Sequence, residues 1–382
     1  MTEPAHSKLL APSSSHRWMH CTASPHAAQH YKDEPGEAAM EGTAAHWLLE
    51  QCLVDGSDPA ALVGRTLTVV QDHITREFVI SQEMASNVLH CGISPVREIA
   101  QRPGMSRVEV KAQLGYIDPE LFGRTDVWHF GSDRWLTVFD FKYGRVDVSP
   151  ERNEQLMIYA LGIYREHVAP IVGEDVAGVN LIIGQPRSLL PGPRIKTWQC
   201  SLVDLLDFEL ELRVAVNGVR HRPEFKMGSW CGYCPALGAC PLSQEAAVNI
   251  GPILAQTDLT PLEASRVLTL KKLLEKKIKD AAAVGKDALM RRQDVPGFKL
   301  VTGAKHRRWR DEDQAKDALI EAVGISALKI PTPAQTEALG PDAAAVVDRL
   351  SFLPPGEPEI AASDDKRSAF VAKSASEMFK GT

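Results

Sequence analysis

The most constraining feature of the chain is a switch from helix-type to strand-type patterning at residues 106–142. Residues 106–114, SRVEVKAQL, alternate in polarity, and residues 124–130 and 135–142 are rich in β-branched and aromatic side chains. The last two runs flank Gly131-Ser132-Asp133, a hairpin turn signal. Asp126 opens one strand and Asp140 ends the next, so the hairpin brings both carboxylates to one edge of a sheet. Lys142 follows Asp140 by two residues and points to the same face. Two carboxylates beside a lysine suit phosphodiester hydrolysis. The carboxylates hold a divalent cation that activates water and offsets phosphate charge, and the lysine orients that water or stabilises developing negative charge. An isolated Asp-x-Lys reads more simply as a solvated strand end with a surface ion pair, so the surroundings have to decide.

Helical patterns frame the strands. Residues 41–54 form one helix, with Ala44, Leu48 and Cys52 on one face and His46 and Glu50 on another. A second helix spans 76–101 and stops before Pro103. Pro150 opens a third, which runs to about His167 and carries Gln155 and Tyr159 four residues apart, on one face. Residues 177–184 are an apolar run that suits a buried strand, with 194–200 as its partner and a helix over 203–217 after them. The expected class is therefore α/β: a mixed central β-sheet flanked by helices, plus a mainly helical C-terminal extension. The organisation divides into an N-terminal segment 1–40, a core 41–248 and an extension 258–382, with the boundary where Gly251 and Pro252 interrupt the pattern.

The N-terminus lacks a basic stretch followed by an apolar one, and no run approaches the ~18 apolar residues of a membrane span. A cytoplasmic compartment without a membrane role is expected. Thiols stay reduced there, so seven cysteines call for a metal or redox explanation where they cluster. Cys231, Cys234 and Cys240 are spaced Cys-x2-Cys-x5-Cys, without the second close pair of a zinc ribbon. Cys52, Cys91 and Cys200 read as ordinary buried thiols.

In order along the chain stand Gly-x-x-x-His (Gly42, His46), Gly-x-x-Asp (Gly123, Asp126), Asp-x-Lys (Asp140, Lys142) and Gln-x-x-x-Tyr (Gln155, Tyr159). This series resembles the RecB-like nucleases of the PD-(D/E)XK superfamily. The resemblance covers roughly residues 15–245 and implies a restriction-endonuclease-like fold and a metal-dependent deoxyribonuclease, expected to act as an exonuclease in recombination, repair or phage DNA processing. It makes His46, Asp126 and Asp140 metal ligands, with the Phe141 carbonyl completing the shell of a Mg²⁺ or Mn²⁺ ion. Lys142 becomes the catalytic lysine, and Gln155 and Tyr159 the DNA-facing pair. Glu109, on the preceding strand, is a further candidate acid near the active edge; an exposed strand carboxylate is the competing reading. The single upstream cysteine and the downstream triplet resemble the layout of AddB-type and CRISPR-associated RecB-like nucleases, which implies a [4Fe–4S] cluster on Cys21, Cys231, Cys234 and Cys240. Zinc is the alternative. A cluster shared by residues about 210 positions apart would close a very long loop.

Net charge is −6, so any nucleic-acid contact must be local. Residues 271–310 hold 13 Lys/Arg against four acids, a balance of +9 that leaves −15 for the remainder. Within this segment Lys305, Arg307 and Arg308 can meet phosphates and Trp309 can stack on a base. The other reading is a solvated helix face that engages a protein partner or a second copy of the chain. The general layout of this tail is similar to that of phage-encoded proteins. Against the nuclease reading stand a non-catalytic DNA-binding or scaffold protein that retains the fold, and a redox protein using the cluster.

Overall fold

The computed structural model describes residues 7–299 except 8, 32–35, 72–73, 191 and 257. The tail residues Lys305, Arg307, Arg308 and Trp309 lie outside the described residues.

The centre is a five-stranded mixed sheet in the order β3 (Gly104–Gln113), β4 (Phe122–Gly131), β5 (Trp135–Phe141), β6 (Gly178–Gly184), β7 (Ile195–Cys200). All neighbours are antiparallel except β5 and β6, which run parallel. A parallel pair needs a crossover connection, and here it carries α6 (Glu154–Ile163), a π-type turn over Tyr164–Val168, and α7 (Ala169–Val172). Asn153 starts α6 by accepting the Leu156 N–H at 3.1 Å, three residues after the expected opening at Pro150. The Gly131-Ser132-Asp133 turn joins β4 to β5 as expected; the Arg134 amide donates to the Gly131 carbonyl and Arg134 takes a positive φ of 64°.

Helices cover both sheet faces. On one lie α6 and α8 (Leu202–His221), with Trp128, Leu136, Val138, Tyr159, Leu181 and Leu212 in the core. On the other lies α3 (Glu37–Asp55), with α4 (Gln82–Val88), a π-type turn over Leu89–Ile93, and α5 (Ser94–Ala100). That core contains Leu48, Cys52, Val127, Phe139 and Phe141. Successive strand residues alternate between the two cores, as a pleat with a period of two dictates. Ala44, Leu48 and Cys52 are buried as the helix pattern requires. Cys91 and Cys200 are buried free thiols as well.

One expectation fails. Residues 76–79 are not helical: β1 (Thr66–Gln71) and β2 (Ile74–Val79) form an antiparallel two-stranded sheet, and the helix begins only at Gln82, capped by Ser81. The run Ile74–Val79 is largely exposed, so no buried stripe marked it as a strand. Its β-branched content did, against a helical window that continued beyond it.

Two short helices open the chain, α1 (Ser15–His20) and α2 (Ser24–Ala28), with Cys21 directly after the first. Beyond α8 the cysteine segment winds through two tight helical turns, Ser229–Tyr233 and Pro235–Ala239. Then α9 (Pro241–Leu254) runs straight through Gly251 and Pro252, and α10 (Pro261–Met290) turns back. Leu237, Ile250, Leu270 and Leu273 form a small core of their own, against which Cys231 and Cys234 pack. The start of the extension is therefore packed on the cysteine segment. Among the described residues, no helix is long and apolar enough to cross a membrane.

Candidate functional site

Four of the anticipated residues meet where the β4–β5 ladder stops, at the end of β5 but in the middle of β4: the strand starts at Phe122, so Asp126 does not open it as expected. The pairing Val127↔Phe139 is the last ladder pair at this end, and one step further Asp126 stands opposite Asp140. Both side chains are almost fully buried. Asp126 accepts the Phe141 N–H at 2.6 Å through Oδ2, and its Oδ1 lies 3.5 Å from His46 Nδ1, which α3 brings in from the opposite face. The Phe141 side chain itself points into the α3 core, its ring 5.6 Å from the His46 ring. Lys142 Nζ stands 2.9 Å from Asp140 Oδ2 and donates to Gln155 Oε1 at 2.9 Å, while Gln155 Nε2 donates to the Tyr159 hydroxyl at 3.0 Å. The i, i+4 spacing on α6 thus braces the lysine, and Tyr159, buried in the core, does not face DNA as the resemblance implies. Asp140 Oδ2 is buried and accepts no aligned hydrogen bond among the described residues.

The electrostatics of this centre are those of too much negative charge in too little water. Burial, aided by the facing Asp126, pushes the Asp140 carboxyl above its ordinary range despite Lys142. Burial acts on Asp126 in the same sense, but the His46 ring and the Phe141 N–H outweigh it and hold Asp126 low. His46 is raised: burial opposes its charge, and the Asp126 carboxylate overcomes that.

Glu109 belongs to this centre. Its carboxyl is pushed up to about 7, first by burial and then by the charges of Asp126 and Glu50. Its backbone takes φ 53°, a left-handed conformation uncommon outside glycine. The β3–β4 ladder is interrupted there: Val108 pairs with Val127 and Val110 with Thr125, and Glu109 has no partner. Val108 packs with the α3 core and Val110 with the α6 core, so the usual alternation breaks at this residue. Backbone strain of this kind concentrates at functional sites. Sequence reasoning missed Glu50 as a contributor, although it lies four residues after His46 on the same helix face.

His46, Asp126, Asp140 and Glu109 supply one imidazole and three carboxylates, a donor set suited to Mg²⁺ or Mn²⁺. Buried carboxylates that repel one another, with Asp140 raised despite its Lys142 partner, fit a cation. The donors are not drawn together: among the described residues only His16, His20 and Glu154 bring three such ligand atoms within 4.8 Å of one another.

The second constellation also assembles. Cys21, Cys231, Cys234 and Cys240 line one cavity of about 330 Å³, which includes space open to solvent. Its walls add Ala27, Phe225, Trp230 and Leu237. The Lys226 N–H donates to Cys21 Sγ and the Gly228 N–H to Cys231 Sγ, both at 3.4 Å. Two polar atoms on the cavity wall, Arg17 Nε and Ser24 Oγ, are buried without hydrogen-bond partners. Burial, with the neighbouring thiols adding, raises the pKa of Cys231 and Cys234. Thiols in such a place ionise on binding a metal. Two thiolates on one zinc at ~2.3 Å can stand no more than ~4.6 Å apart, and no three of these sulfurs lie within 4.8 Å of one another.

Fold and site together define a mixed α/β protein with an acid–histidine–lysine centre where its β4–β5 ladder stops, and a four-cysteine cavity between the N-terminal helices and the segment after α8. The chain belongs to the family described as protein of unknown function (DUF2800), whose family model matches residues 6–368.

Proposed function

We propose that this chain is a metal-dependent deoxyribonuclease of the PD-(D/E)XK type, acting in DNA recombination, repair or phage DNA processing, with an iron–sulfur cluster as a structural staple. The observation that carries the reading is the convergence of Asp126, Asp140, His46 and Lys142 at one sheet rim, from two strands and a helix remote in sequence. His46, Asp126 and Asp140, with the Phe141 carbonyl, would hold Mg²⁺ or Mn²⁺. That ion, when bound, acidifies a water and offsets phosphate charge. Lys142, oriented by Gln155 and Asp140, donates to the phosphate oxygen on which negative charge grows. Tyr159 fixes the Gln155 amide so that its carbonyl faces the lysine.

For the cysteines, a Cys-x2-Cys-x5-Cys triplet with a single remote partner, and no second close pair, favours a multi-iron cluster over the zinc alternative. Such a cluster ties Cys21 to the segment after α8 and so fastens the two ends of the core together.

End-labelled single- and double-stranded DNA incubated with Mn²⁺ tests the activity. Wild-type protein should degrade it, and Lys142→Ala should bind DNA without cutting. Wild-type binding with no cleavage in either Mn²⁺ or Mg²⁺ would overturn the enzyme reading in favour of a DNA-binding scaffold.

A further inference from the structure

We propose that His16, His20 and Glu154 form a binding site for a zinc-class transition-metal ion that bridges the N-terminal helix to α6. The site is separate from both constellations above, and the inference depends on neither the nuclease reading nor the cluster.

His16 and His20 lie four residues apart on α1, so both rings leave one face of that helix. Across from them stands Glu154, the first residue of α6. One ligand atom from each of the three falls within 4.8 Å of the other two. Two ligands on one zinc at ~2.0–2.2 Å stand at most ~4.4 Å apart, so small side-chain adjustments close the set. His16 Nδ1 already lies 3.1 Å from Glu154 Oε1.

The second shell is built for ligation. His20 Nδ1 is hydrogen-bonded to the His16 carbonyl at 3.0 Å. A proton on that nitrogen leaves Nε2 with the lone pair, which is how ligating imidazoles are commonly held. The His20 ring also stacks on Trp230, with centroids 4.7 Å apart and planes 26° from parallel, and the Trp230 indole N–H is anchored on the Lys226 carbonyl at 2.9 Å. The ring is thus fixed before a metal arrives. His16 is half exposed, which leaves an entry path and room for a water as fourth ligand.

Two imidazole nitrogens and one carboxylate select zinc-like ions over Mg²⁺, which prefers oxygen ligands. Bound there, the ion would lock α1, and with it the adjoining Cys21, to the helix that carries Gln155 and Tyr159. The competing arrangement is a plain His16–Glu154 ion pair with His20 held only by Trp230 and the His16 carbonyl, and it would bind no zinc.

The test is a Zn²⁺ titration of the full-length protein as purified, the metal on its cysteines left in place, in excess Mg²⁺, with difference X-ray absorption at the zinc edge. One tight equivalent with a shell of nitrogen and oxygen only is expected. His20→Asn and the isosteric Glu154→Gln should each weaken it at least ~10-fold while leaving the visible absorbance and circular dichroism unchanged. Absence of a tight equivalent, a shell containing sulfur, or affinity that both folded variants retain would overturn the site. Should one variant fail to fold, the other decides, because the His46, Asp126 and Asp140 centre would also give a nitrogen and oxygen shell in the wild type.

Discussion

Replacing Asp140 by Asn should make the metal-free protein more stable and deaf to Mn²⁺. Asp140 is 3% exposed and faces Asp126, and burial together with that neighbour disfavours its charge. Asn keeps the shape. Its carbonyl can still face Lys142 and its amide can donate toward Asp126, turning a repulsion into an attraction. The lost ion pair to Lys142 offsets part of this, because the lysine is a quarter exposed. A net gain on the order of 1 kcal/mol is expected, the size common when a functional centre is relieved of its strain. The response to metal has the opposite sign. Mn²⁺ at 100 times its dissociation constant stabilises the wild type by ~2.7 kcal/mol. With an unfolding entropy near ~2.1 cal/mol/K per residue, taken over the roughly 290 described residues, that is a rise of about 4–5 °C in melting temperature. The variant should rise by less than ~1 °C under the same conditions, since it lacks one of the anionic ligands. Thermal melts of both proteins in chelator and in Mn²⁺ measure all four values. Equal Mn²⁺ shifts, or a variant less stable than wild type without metal, would refute the account of this centre.

Three further outcomes are expected. Arg220 grips Asp118 through two bonds of 2.7 Å, and that grip, against burial, holds the carboxyl below its usual range. The resulting stability is present above the ordinary carboxylate pKa and lost as pH falls through the depressed folded value. Asp118→Asn should therefore cost roughly 2 kcal/mol in urea unfolding at neutral pH, and the difference from wild type should shrink on acidification. At Gly184 an added Cβ would overlap the Cys91 carbonyl oxygen and stand 2.8 Å from the Phe139 ring, so Gly184→Ala should lower stability by about 1–3 kcal/mol; an unchanged urea midpoint would contradict the close approach of α4–α5 to β6. Cys21→Ser should lose iron and visible colour after anaerobic purification while Cys200→Ser keeps both, as read by metal analysis and absorbance.

What the residue order determined by itself is local and periodic. Alternation along β4 and β5, with a turn signal between them, set the hairpin and therefore placed Asp126 and Asp140 side by side, because a strand repeats every two residues and a hairpin sets its own register. The 3.6-residue period of α3 put His46 on one face and Ala44, Leu48 and Cys52 on the other. The same logic aligned Gln155 with Tyr159. The triplet Cys231, Cys234 and Cys240 is close in sequence and needed no fold to be recognised.

The tertiary structure alone decided what lies far apart along the chain or runs against local preference. Bringing Cys21 to the triplet depends on α1 packing against the segment after α8, a contact that no window of residues contains. The interruption at Glu109 turns on a left-handed backbone that glutamate disfavours, held by the strands on which it sits, and propensity points away from it. The meeting of His16 and His20 with Glu154 is of the same kind: a helix can pair its own i and i+4 residues, but the third ligand comes from an element that only packing delivers.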